Sequence, residues 1–96
     1  QSQLADFNFK DEYGNTPIYY ATVNMHLDAL RFLISAKADP NIKCELGNTP
    51  LHLAMMTGFK LKRNLQIIAC LLNAGANPQQ VNNFGQTPLF FSSKAV

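Results

Sequence analysis

The sequence predicts an all-α solenoid built from stacked helix-turn-helix units joined by hairpin-like finger loops. Three observations carry that expectation. One tetrapeptide recurs as Gly14-Asn15-Thr16-Pro17, Gly47-Asn48-Thr49-Pro50 and Gly85-Gln86-Thr87-Pro88, at intervals of 33 and then 38 residues. A recurring interval of about 20–50 residues belongs to repeat architectures, whose units touch only their neighbours. All five prolines and all five glycines fit a single repeat plan. Finally, Leu27, Leu30, Phe32, Leu33 and Ile34 return as Leu65, Ile68, Cys70, Leu71 and Leu72 at an offset of 38 residues.

The elements follow in order. Ala5-Asp6-Phe7-Asn8, Ala38-Asp39-Pro40-Asn41 and Ala76-Asn77-Pro78-Gln79 open three successive units. Gly14, Gly47 and Gly85 come next, at turns that need positive φ. Thr16, Thr49 and Thr87 then suit N-caps, because a threonine hydroxyl accepts from an unpaired amide of the first turn. The proline after each suits the first helical position, where its missing donor costs nothing. The first helices are predicted at 17–23, 50–56 and 88–95. The second helices are predicted at 27–36 and 64–74, with a broad apolar face for packing on neighbours. Unit three has only its first helix. Residues 1–96 are read as one domain with repeats at about 5–37, 38–75 and 76–96, part of a longer array in the same polypeptide.

The second unit runs on as Thr49-Pro50-Leu51-His52-Leu53-Ala54, and Leu71-Leu72-Asn73-Ala74-Gly75-Ala76 leads a helix end into the next turn. These motifs, with the spacing, resemble the ankyrin-repeat family over nearly the whole chain. The resemblance implies protein binding without catalysis, through a concave face lined by inner-helix ends and by protruding fingers. It also implies a structural hydrogen-bonding role for His52 and His26. Tyr19 and Phe90 stand where His52 does, so their units manage without that histidine. Met25 and Lys37 stand where unit two has Gly58 and Gly75, at turns where glycine relieves strain. Asn41 occupies a position where the family can carry asparagine hydroxylation, but its residue-level reading is a brace for the turn.

The functional candidates concentrate at the finger tips. Tyr13, Leu46 and Phe84 precede the repeated glycines, and Glu12, Glu45 and Asn83 precede those in turn. Apolar residues at repeated exposed positions suit a contact strip, although packing between fingers would use the same side chains. Asn15, Asn48 and Gln86 lie between finger and helix. Val23 and Asn24, Met56 and Thr57, and Lys94 and Ala95 mark the inner-helix ends. The expected partner surface is therefore Glu12, Tyr13, Asn15, Glu45, Leu46, Asn48, Met56, Asn83, Phe84 and Gln86.

Other classes find little support. No carboxylate pair is placed for acid–base work, since the adjacent Asp11 and Glu12 read as a solvated finger, and no zinc-type cysteine–histidine spacing or phosphate-cradling loop is present, so no catalytic residue, metal or cofactor is expected. The net charge of +2 does not mark a nucleic-acid binder. No apolar run approaches the ~20 residues that cross a bilayer, so membrane insertion is not expected. Cys44, expected at a turn tip, and Cys70, expected on a buried helix face, do not form a disulfide framework, which points to a reducing cytoplasmic or nuclear setting. The five extra residues of unit two, Phe59-Lys60-Leu61-Lys62-Arg63, read as a solvated loop or as contact with an acidic surface. An alternative function is the targeting or scaffold arm of a larger enzyme, such as a bacterial or viral protein acting inside a host cell.

Overall fold

The computed structural model describes residues 6–57 and 61–94, with side chains to residue 92. Ala5, Gly58, Phe59, Lys60 and Ala95, and the side chain of Lys94, lie outside the described residues. Four α-helices follow in order: α1 (Pro17–Val23), α2 (Leu27–Ser35), α3 (Pro50–Met56) and α4 (Lys62–Asn73). A 3-10 turn spans Glu45–Gly47, and a 3-10 helix spans Pro88–Lys94. There is no strand among the described residues. Each finger is closed instead by a backbone pair across a five-residue turn, such as Asp11 N–H to the Asn15 carbonyl at 2.9 Å.

Two rows of helices result. The inner row is α1, α3 and the Pro88–Lys94 helix, each packed on the next; the outer row is α2 on α4. Ile18, Leu30, Leu51, Ile67 and Leu71 are all but fully buried where the rows meet. The four α-helices thus share one continuous core, and each fully buried large side chain contributes about 1.5–3 kcal/mol. The predicted caps form at the first two units. Thr16 Oγ1 accepts the Tyr19 amide at 3.3 Å, and Thr49 accepts the His52 amide at 3.4 Å.

The structure revises several expectations. α2 ends one residue early, at Ser35. α4 begins two residues early, so Lys62 and Arg63 are helical rather than loop; both are good helix formers, and Leu61 precedes them in an extended conformation. The third inner helix is 3-10 rather than α. Its Phe-Phe-Ser-Ser run is a poor helix former, the Ser92 hydroxyl donates to the Leu89 carbonyl at 2.7 Å, and no second helix packs on it among the described residues. Cys44 is buried at the base of its finger rather than at the tip, and Cys70 is only partly buried. His26 is exposed at the start of α2 and makes no capping bond there.

Met25 and Lys37 adopt φ of 56° and 70°, the left-handed turn that glycine would fill without strain. Asn41 braces the next turn along the chain, at 75–77, rather than its own, where Asp39 accepts the Asn41 amide. Asn41 Oδ1 accepts the Asn77 amide at 2.7 Å, and its Nδ2 donates to the Gly75 carbonyl at 3.0 Å. Asn8 does the first of these for the preceding unit, accepting the Asp39 amide at 2.7 Å.

Candidate functional site

A side chain nucleates the turn in the first and third fingers. In unit one, Asp11 Oδ1 accepts the amides of Tyr13 and Asn15, both at 3.0 Å. In unit three, Asn82 Oδ1 accepts the amides of Phe84 and Gln86 at 2.9 and 3.0 Å. These are self-hydrogen-bonded turns of the kind that Asp and Asn favour. Unit two has Cys44 at the same place, with no oxygen to offer. There Asn48 N–H turns to the Glu45 carbonyl at 3.1 Å, and the tip tightens with Leu46 at φ 60°.

The fingers are tied to one another. Asn15 Oδ1 accepts the Glu45 amide at 3.1 Å. The Leu46 carbonyl accepts the Asn83 amide at 3.0 Å, and Asn82 Nδ2 donates to Asn48 Oδ1 and Gln86 Oε1, both at 2.9 Å. Asn15 and Asn48 are consequently buried, and their side-chain oxygens are spent inside the molecule. Gln86 is half-buried. These residues hold the row in register; they do not present themselves to solvent. The signal that could have found them is the pairing of Asp11 and Asn82 with a residue four further on.

The remaining tip residues face outward. Tyr13, Leu46 and Phe84 are 68%, 53% and 66% exposed, so the three apolar side chains are not consumed by packing between fingers. Glu12, Glu45 and Asn83 are exposed beside them. Met56, at the end of α3, is exposed, as is Val23 at the end of α1. In the first finger the Tyr20 hydroxyl donates to Asp11 Oδ2. That bond, with the Asn15 amide, holds the Asp11 carboxyl below its ordinary value.

His52 sits beneath the second finger, fully buried. Its Nδ1 accepts the Thr49 amide at 3.0 Å, so the ring proton is on Nε2, which donates to the Gln86 carbonyl at 2.8 Å. Burial pushes the imidazole below its ordinary 6.5, and nearby Lys43 adds to this against the opposing Gln86 bond. His52 is therefore a neutral structural link between units, with no free face for chemistry. Among the described residues no group of His, Cys, Asp or Glu could hold a metal ion. Of the basic stretch, Arg63 lines an open hollow between α2 and α4 with His26, Asp28 and Gln66.

The order of caps, buried histidine and inter-unit bonds matches a known repeat. A family model described as ankyrin repeats, three copies, matches residues 1–78. The chain belongs to the ankyrin-repeat family. Ankyrin repeats are generally non-catalytic modules of protein–protein interaction. No helix among the described residues is long and apolar enough to cross a membrane.

Proposed function

We propose that this ankyrin segment is a non-catalytic module that grips a protein or peptide partner along its row of finger tips. The observation that carries the reading is the exposure of Tyr13, Leu46 and Phe84 at equivalent tips of fingers already bonded together. Such side chains bury large area on contact, and ordering them costs little because their backbone is already fixed. Tyr13, Leu46 and Phe84 are the anchors. Glu12, Glu45 and Asn83 form the polar flank, Met56 extends the surface onto α3, and Gln86 lies at its edge. Asn15 and Asn48 serve it from behind, by setting the spacing of the fingers. The tips carry no cation, which does not suit a nucleic-acid partner. The two free thiols suit a reducing cytoplasmic or nuclear setting, and burial pushes the Cys70 thiol up and away from reactivity.

The test is a triple alanine substitution of Tyr13, Leu46 and Phe84. Partner captured from lysate with the unaltered chain is titrated against both forms, with circular dichroism to verify the fold. A loss of affinity of at least tenfold is expected. A change smaller than about twofold in a folded variant defeats the proposal.

A further inference from the structure

The charge of the chain is divided between its outer row of helices and its finger tips. Its cations on the outer side are Arg31 on α2, Lys37 in the turn after it, and Lys62 and Arg63 on α4, against the carboxylates of Asp28 and, beyond Lys37, Asp39. The finger tips reverse this sign. Beyond the bonds that close each turn, the only charged tip residues are Glu12 and Glu45, both exposed. Lys10 and Lys43 come before the turn-closing residues Asp11 and Cys44, at the bases of the fingers. Asp11 is not free in the same way, since it is held by the Tyr20 hydroxyl and two backbone amides. Neither Glu12 nor Glu45 is paired with a cation among the described residues.

The tips also share an order. Each presents a polar residue and then an apolar one: Glu12-Tyr13, Glu45-Leu46, Asn83-Phe84. By sequence position the row is thus apolar at every tip, with a flank that passes from acidic to neutral. Resting on the partner-binding reading above, we infer that the occupant is a cationic, apolar polypeptide segment lying extended across the fingers. Its apolar side chains meet Tyr13, Leu46 and Phe84, its lysines or arginines meet Glu12 and Glu45, and the stretch over Asn83 is uncharged. Spacing follows from the inner helices that carry the fingers. Packed helices lie about 8–10 Å apart, and an extended chain rises about 3.3 Å per residue, so each finger-to-finger step passes about three residues. The two cations should therefore recur about three positions apart, each next to an apolar residue.

The experiment selects binders from a random-sequence peptide display library of about 12 residues, long enough to cross three fingers. It is run on the unaltered chain, on the double variant Glu12→Lys with Glu45→Lys, and on the triple alanine variant at the anchors. The unaltered chain is expected to enrich Lys or Arg beside apolar residues at a spacing of about three. The charge-reversed chain should enrich Asp and Glu at the same positions and bind the first peptides at least tenfold more weakly, as like charges brought together oppose binding. Added salt should weaken the cationic peptides on the unaltered chain. Enriched peptides with no excess of Lys or Arg, or the same peptides from both charge forms, overturn the inference while leaving the anchor reading intact. Peptides retained equally by the triple alanine variant overturn the anchor reading itself.

Discussion

The two junctions between units occupy equivalent places and are built from different chemistry. Between units two and three, the buried imidazole of His52 reaches the Gln86 carbonyl, Asn82 reaches Asn48, and Asn41 accepts the Asn77 amide across the boundary. Between units one and two, Tyr19 stands at the histidine position and packs edge-on against Tyr20 at 6.1 Å. There the polar links are the Glu45 amide on Asn15, the Asp39 amide on Asn8, and a 3.7 Å contact between Thr16 Oγ1 and Cys44 Sγ. One junction is linked through a buried imidazole, while the other has polar links of its own but an aromatic ring at that place. Buried polar links raise the stakes of any single deletion, since each lost partner leaves another group unsatisfied.

The sharpest way to break the comparison is at the histidine position. His52→Ala strands the Thr49 amide, leaves the Gln86 carbonyl with the Asn82 amide as its remaining donor and opens a cavity, so a loss of about 3 kcal/mol is expected in urea unfolding. Tyr19→Phe, which removes only a hydroxyl, should cost under about 1 kcal/mol. Equal losses would mean that the junctions are energetically alike.

A second contrast lies in the finger glycines. A Cβ on Gly47, where φ is 74°, would overlap the Asn83 side-chain oxygen and come within 2.8 Å of its backbone nitrogen. One on Gly14, where φ is 80°, meets nothing within 4 Å. Gly47→Ala should therefore cost about 2 kcal/mol or more and Gly14→Ala only about 1 kcal/mol, the latter from conformation alone. Thermal melts of the two variants side by side measure the difference.

Acid should separate the junctions as well. The imidazole of His52 has its folded value below 6.5, so in the window beneath 6.5 the unfolded chain takes up a proton that the native chain refuses. Stability should accordingly fall as pH drops below 6.5, and it should be unaffected by this group above that value. Melting midpoints from neutral pH to about pH 5 should decline in the unaltered chain and flatten in His52→Gln. The smallest effect expected is a gain. Lys37→Gly relieves a left-handed residue in an exposed turn, at about 0.5–1 kcal/mol of added stability in the same melts. Met25 offers a parallel case nearer the core.

Much of this was legible in the sequence. Threonine followed by proline marked the starts of α1 and α3 because cap and first turn are local chemistry. The glycine-equivalent places of Met25 and Lys37 were legible by alignment of the units, and both have positive φ. What escaped was non-local. Asn15 and Asn48 resemble surface polar residues until the neighbouring finger covers them and takes their oxygens. The departure of the second finger rests on the absence of a carboxylate or amide at Cys44, and Leu46 shows the result only in its backbone. Lys62 and Arg63 looked like loop because charged residues suit loops and exposed helical turns equally.

His52 performs two tasks with one ring, capping its own helix through Nδ1 and holding the following unit through Nε2. A proton arriving at Nδ1 would end the first and unsettle the second in the same event. The start of α3 and the boundary with the third unit thus hang on a single ring, and a substitution there is felt on both sides at once.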